Sequence, residues 1–312
     1  MAEFDLIERI RARCNVSRDD VILGIGDDAA LLEVPAGHAL AVSTDTLVAD
    51  VHFPLEAAAF DVGWKALAVN LSDLAAMGAE PAWATLALTL PAADAAWVDG
   101  FAEGFAALAR QHRVALIGGD TTQGPLSITV TIQGFVRADV ALRRSGARVG
   151  DAVFVSGTLG DAAAALRKTQ SGSACDPRLL DRLHRPTPRV GLGMALRGRA
   201  SACIDVSDGL VADLGHICAA SGAGAQIDAD ALPASTALRE VFDAPTRRGF
   251  QLAGGDDYEL CFTAAQADLA CMAGDDCPIK CIGRIVAGEG VSVRDAQGRA
   301  IDVPRAGWEH FA

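Results

Sequence analysis

Aromatic side chains make up only 5% of this 312-residue chain, and there is a single Tyr. Its cores must therefore be built from Ala, Val, Leu and Ile. With half of the residues hydrophobic, there is material for two such cores. Basic residues are also short: 27 Lys and Arg face 40 Asp and Glu, a formal net charge of −13. That balance excludes a general nucleic-acid binder, which needs a basic face. It would also repel a phosphorylated ligand unless metal ions or local Arg residues reverse the field. No apolar run is long enough to span a bilayer, and residues 1–5 have no signal-peptide character, so a cytoplasmic protein without a membrane partner is expected. The eight cysteines include no C-x-x-C pair and no zinc-type spacing with the histidines. Cys203, Cys218 and Cys261 sit in apolar runs as small hydrophobes do. Cys271, Cys277 and Cys281 read as free thiols rather than a metal set. No G-x-x-x-x-G-K-[ST] loop exists, which excludes a P-loop enzyme. Gly24, Gly26 and Ala29 match the loose dinucleotide fingerprint, but more strand follows them instead of a helix. Asp27 and Asp28 also stand where a pyrophosphate would lie.

What the chain has in quantity is Asp, 30 residues against 10 Glu. Glu is the better helix former, whereas Asp favours caps, turns and metal sites. Five stretches place Asp among apolar residues or Gly with no Lys or Arg immediately beside it: Gly26-Asp27-Asp28, Ser43-Thr44-Asp45, Asn70-Leu71-Ser72-Asp73, Gly118-Gly119-Asp120 and Asp205-Val206-Ser207-Asp208-Gly209. A carboxylate in such surroundings is costly unless it meets a cation. The alternatives are ordinary: Ser207 or Asp208 as a helix cap, Gly118-Gly119 as a tight turn, Asp73 as a buried acid. Asp205 is not explained by the same cap, and the neighbours of Asp73 along a helix, Val69, Asn70, Ala76 and Met77, form no solvated charged face.

Taken in order, the pattern predicts a helix over 4–13, strand pieces at 21–23 and 29–34, and a strand over 39–44 that ends in the Ser43, Thr44 and Asp45 oxygens. A helix over 61–77, a strand over 81–90, a helix over 94–112 and strands over 114–117 and 126–136 follow. Residues 1–137 form the expected first domain and the polar, Arg-rich segment 138–150 a linker. Residues 151–312 form the second domain, with strands at 152–156, 202–206, 226–228, 258–262 and 280–285 and helices after Asp161, after Pro188 and over 208–220.

Many carboxylates, few bases and no Ser-His-Asp or Cys-His set suit phosphoryl transfer, which depends on positioning and charge neutralisation. Mg²⁺ takes one or two carboxylates together with waters and phosphate oxygens, so separate Asp residues imply several ions holding a nucleotide. Six ordered motifs then carry a resemblance: Gly-Ile-Gly-Asp-Asp-Ala-Ala at 24–30, Ser-Thr-Asp-Thr-Leu-Val at 43–48, Val51-His52-Phe53, Asn-Leu-Ser-Asp-Leu-Ala-Ala-Met-Gly-Ala at 70–79, Gly-Gly-Asp-Thr-Thr at 118–122 and Asp-Val-Ser-Asp-Gly-Leu at 205–210. Together they resemble the thiamine-monophosphate kinase family, within the superfamily of aminoimidazole ribonucleotide synthetase.

The resemblance implies an α/β fold of the α+β type in two domains. The N-terminal mixed sheet would form a barrel-like core in a homodimer, with a C-terminal α/β domain beside it. It implies ATP as co-substrate, thiamine monophosphate as acceptor and direct in-line transfer, with Asp45, Asp73, Asp120 and Asp208 as the catalytic acids. Asp28, Ser43, Thr44, Asp45, Asp73, Asp120, Asp205 and Asp208 become Mg²⁺ ligands. Gly119, Asp120, Arg144 and Ser207 become ATP contacts, and His52, Asp256 and Trp308 substrate contacts. The chain carries Asp256 where the family more often has Glu, one methylene longer. Relatives that use a catalytic N-terminal Cys or a reactive C-terminal Cys tail fit less well, since Cys14 lacks Gly-rich surroundings and the chain ends Glu309-His310-Phe311-Ala312.

Overall fold

The computed structural model describes residues 3–265, 277–303 and 307–308. The chain divides into two compact units, one of residues up to Leu74 together with 79–139, the other of residues 75–78 together with 140 onward. Both are mixed α/β structures.

The first unit contains α1 (Glu3–Arg13), β1 (Val21–Leu23), β2 (Leu31–Leu32), β3 (Ala39–Val48), most of α2 (Ala59–Ala76), β4 (Glu80–Leu90), α3 (Ala95–His112), β5 (Ala115–Gln123) and β6 (Ser127–Val136). Four strands form an open sheet in the order β3-β6-β4-β5, in which β4 and β5 are parallel and the other pairs antiparallel. Within the chain this sheet does not close into a barrel. The ends of β3 and β5 correct the sequence reading. β3 continues to Val48, because all ten of its residues pair with β6 from Ala39↔Val136 to Val48↔Ser127. β5 runs through Gly118-Gly119-Asp120 to Gln123, so the glycines lie in a strand and not in a turn. In both cases the cross-strand ladder outweighs the weak strand preference of Ser, Asp and Gly. The second strand piece shrinks to β2.

Alternation sorts β3 into two faces. Ala41, Ser43, Asp45 and Leu47 point inward, and Leu47 is buried. Leu40, Val42, Thr44 and Thr46 point outward and are exposed, with the Thr44 and Thr46 hydroxyls hydrogen-bonded to those of Thr131 and Thr129, each at 2.9 Å. Helix α3 starts at Asp94, whose carboxylate accepts the Ala96 and Trp97 amides, and stops at Arg113, which takes a left-handed conformation. Helices α2 and α3 meet at glycines. A Cβ on Gly63 would run into the Phe101 carbonyl, and one on Gly104 into the Phe60 carbonyl.

The second unit builds a seven-stranded sheet in the order β13-β12-β9-β11-β7-β10-β8. Its strands are β7 (Ala152–Ser156), β8 (Ala202–Asp205), β9 (Gly224–Asp228), β10 (Leu260–Ala264), β11 (Ile279–Val286), β12 (Gly290–Arg294) and β13 (Ala300–Ile301). Its helices are α4 (Asp161–Gln170), α5 (Pro177–His184), α6 (Val190–Ala195), α7 (Leu210–Ser221), α8 (Thr236–Val241) and α9 (Ala244–Ala253). Val153, Val155, Ile204, Leu214, Ile217 and Cys261 fill its main core. Helices α5, α8 and α9 were not anticipated, being short segments of six to ten residues with little room for a period to repeat. No described helix is long and apolar enough to cross a membrane.

The glycine contact yields a direct test. Gly104→Ala is expected to push α3 off α2 and destabilise the protein by about 2 kcal/mol, a fall in Tm of roughly 4–8 °C in thermal denaturation. An unchanged Tm would show that the helices can part without loss.

Candidate active site

In the first unit the predicted acids fall at two places. At the β3 edge, the Ser43 hydroxyl donates to the Asp73 carboxylate. Asp45, on the same face of β3, is hydrogen-bonded to Asp73 and has its carboxyl raised to about 7, first by burial and then by the charge of Asp73. One turn earlier on α2, the buried Asn70 donates its amide to the Ala66 carbonyl, while its Oδ1 accepts no hydrogen bond. Two carboxylates forced together suit a hard divalent cation. Thr44 presents its hydroxyl to the opposite face, so of the three oxygen-bearing side chains at 43–45 only two join Asp73.

The second place is a cavity of about 820 Å³. Phe4, Ile7 and Arg11 of α1 line it on one side, and Asp27, Asp28, Gly119 and Asp120 bring its acidic end. Asp28 is exposed, and its amide donates to Asp27 Oδ1. Gly119 is required by β4, since a Cβ there would strike the Leu86 carbonyl. The register row Asp45–Val130–Leu86–Gly119 crosses the whole sheet. Asp120, next along β5 and paired with Ala87, therefore lies roughly 14 Å from Asp45, three strand spacings away. One ion cannot bridge that span. Among the described residues, no three His, Cys, Asp or Glu side chains come together as a metal site.

His52 follows β3 in a tight turn, where its Nδ1 accepts the Val48 amide at 3.0 Å, leaving Nε2 as the nitrogen that carries the proton. Cys14 is buried, and burial pushes its thiol up to about 12, the reverse of an activated nucleophile.

In the second unit the structure gathers five predicted residues around the end of β8. Asp205 closes the strand and is 5% exposed. The Ser207 carbonyl accepts the Asp256 amide at 2.9 Å, and the Asp208 carbonyl accepts the Trp308 amide at 3.0 Å. Neither Ser207 nor Asp208 caps α7 as the sequence allowed. The N-cap is Gly209, and the amides of Ser207, Asp208 and Gly209 all donate to Asp213 Oδ2 at 3.1 Å. Burial raises the Asp213 carboxyl to about 7, while these three donors act in the opposite direction. Arg144 is apart from this group: its side chain is exposed, its carbonyl accepts the Ser221 hydroxyl at 3.3 Å, and the adjoining Arg143 carbonyl takes the Cys203 amide, roughly 7 Å of strand before Asp205.

Sequence reasoning missed Asp213, Asp257 and Glu259. The Glu259 carboxylate is fully buried and accepts from Ser156 at 2.6 Å, Arg182 at 2.8 Å and Arg189 Nε at 2.6 Å. Both Asp257 oxygens receive the Gly160 amide, at 2.9 and 3.0 Å. The available signal was an acid four residues past Gly209, and two acids flanking the Tyr just before an apolar strand, which begins at Leu260 and not at Tyr258 as its pattern predicts. The seven described cysteines, Cys277 and Cys281 among them, are free thiols, and Cys271 lies outside the described residues.

Family models match both parts of the chain: AIR synthase related protein, N-terminal domain, over residues 26–136, and its C-terminal domain over 148–296. The thiamine-monophosphate kinase of Salmonella typhimurium is 49% identical, over 99% of this chain and 98% of the relative. The crystal structure of thiamine-monophosphate kinase from Stenotrophomonas maltophilia K279a superposes with a TM-score of 0.88 at 56% identity, covering 96% of this chain and 98% of that one. A structure of AaThiL complexed with AMPPCP and TMP superposes with a TM-score of 0.80 at 33% identity, covering 99% and 97%.

The Asp45–Asp73 pair makes a prediction about stability. A carboxyl whose folded pKa is raised stabilises below its unfolded value, and that stability is lost as pH climbs through the folded one. In chelator, Tm should therefore fall as pH rises from about 5 to 8. Asp73→Asn should flatten that fall and stabilise the protein at pH 8 by roughly 1–2 kcal/mol of relieved repulsion, raising Tm by about 2–8 °C. Thermal melts across that range check it, and a variant less stable than the parent at pH 8 would contradict it.

Proposed function

The chain belongs to the thiamine-monophosphate kinases of the AIR synthase related family, and from this we propose that it carries the terminal phosphoryl group of ATP to the phosphate of thiamine monophosphate in one in-line step, with Mg²⁺. The products are ADP and thiamine diphosphate. The AaThiL structure holding AMPPCP and TMP together supports a site that binds both reactants at once. An acceptor phosphate is already ionised, so the reaction needs no general base, and none of the candidate groups is required to act as one.

The observation that carries the chemistry is the Asp45–Asp73 contact, whose mutual repulsion a cation relieves. Bound Mg²⁺ would neutralise the charge that builds on the phosphate oxygens. Asp28, Ser43, Asp45, Asp73, Asp120, Asp205 and Asp208 are the proposed side-chain ligands. Thr44, whose hydroxyl faces away from Asp73, would contribute through its backbone oxygen. Gly119, Asp120, Arg144 and Ser207 are the proposed ATP contacts, Arg144 offering a fork of donors to phosphate. His52, Asp256 and Trp308 are the proposed substrate contacts. The indole of Trp308, half exposed, has a face to offer the cationic thiazolium. Residues 1–137 then serve ATP and metal binding and dimerisation, 138–150 link, and 151–312 contribute to the substrate site.

Two features support a homodimer with a barrel-like core. The outer face of β3 leaves Leu40 43% and Val42 57% exposed at an open sheet edge. The roughly 14 Å between Asp45 and Asp120 also divides the ligands among several ions or between two protomers. A cytoplasmic location is part of the same proposal.

Incubating the protein with ATP, Mg²⁺ and thiamine monophosphate should yield thiamine diphosphate. Chelator should abolish the turnover and added Mg²⁺ restore it; full activity in excess EDTA would overturn the metal assignment. Light scattering at micromolar concentration should return twice the chain mass of 32.2 kDa, and a strictly monomeric mass would count against the dimer.

A further inference from the structure

The segment from Asp256 to Glu259 is strained and heavily anchored. Asp256 and Tyr258 both adopt left-handed backbone conformations, with φ of 66° and 50°. Asp tolerates that region; a bulky aromatic residue rarely enters it. Such a conformation persists only where its surroundings impose it. Here the Asp256 amide is tied to the Ser207 carbonyl and the Tyr258 amide to the Val206 carbonyl at 2.8 Å. The side chains of Asp257 and Glu259 are clamped by Gly160 and by two Arg residues. The backbone is therefore pinned on both sides of Tyr258, and its ring is only 8% exposed.

That arrangement delivers the phenol to one place. The Tyr258 hydroxyl donates to Asp256 Oδ1 at 2.9 Å. Packing alone would be served by Phe, of which the chain has 11 against this single Tyr. The hydroxyl lies within reach of the carboxylate of an Asp, which is held close to its own backbone. We propose that Tyr258 is a positioning residue for the substrate site: its hydroxyl fixes the direction in which Asp256 presents its carboxylate to the thiamine moiety. The inference rests on the reading that Asp256 contacts the substrate.

Steady-state kinetics with each reactant varied in turn test it on Tyr258→Phe, Asp256→Ala and the double variant, with thermal melts on the same samples. Tyr258→Phe should raise KM for thiamine monophosphate about ten- to hundredfold, as loss of a hydrogen bond to a carboxylate would. KM for ATP and Tm should not move. In the Asp256→Ala background, adding Tyr258→Phe should change nothing further, because the two act through one contact. If the two effects instead multiply, or if Tyr258→Phe lowers Tm and leaves both KM values alone, the hydroxyl only supports the fold and the proposal fails. An unchanged thiamine monophosphate KM in Asp256→Ala would remove Asp256 from the substrate site, and the role of Tyr258 with it.

Discussion

Two carboxylates in hydrogen-bond contact repel each other unless a proton or a cation lies between them. The first unit is arranged so that this repulsion is built in. Asp45 is fixed by a ladder of ten residue pairs and Asp73 by a helix buried on nearly every side, so neither can turn away. With the Asp45 carboxyl raised to about 7, a proton relieves the contact below neutral pH and is lost above it, where a divalent ion would suit the pair. The closeness of the two carboxylates thus comes from the rigidity of the elements that carry them.

The second unit works by a different device. Its functional loop follows a short strand, and the loop is shaped by acids that face inward. Asp213 gathers three amides, Asp257 takes the amide of Gly160, and Glu259 draws Arg182 and Arg189 onto one buried carboxylate. Removing one partner of such a network strands the others in a medium of low polarity. The network holds Asp256 against Ser207, and so the acid proposed to face the substrate is placed through groups that need touch no ligand themselves.

Much of this was legible in the sequence. The acids stood out because Asp among apolar residues, without an adjacent Lys or Arg, is an anomaly that burial alone does not explain. Long periodic elements such as α2, α3, β4 and β6 were found from their hydrophobic repeat. The true length of β3 was hidden because Ser43, Thr44 and Asp45 look like the end of a strand, and only the partner strand reveals that they continue it. For the same reason Thr44 was grouped with its neighbours, although alternation turns it away. Asp213 and Glu259 were missed because their partners are backbone amides and distant Arg residues, and no spacing along the chain encodes those contacts.

The capture of three amides by Asp213 has one more consequence. The start of a helix ordinarily attracts anions, since its unpaired N–H groups converge there. Just before α7, the amides of Ser207, Asp208 and Gly209 are already taken from within by Asp213, and the carbonyls of Ser207 and Asp208 are taken by the amides of Asp256 and Trp308. Five backbone groups of residues 207–209 are thus satisfied within the unit itself, so the turn holds its shape without needing a ligand to close it.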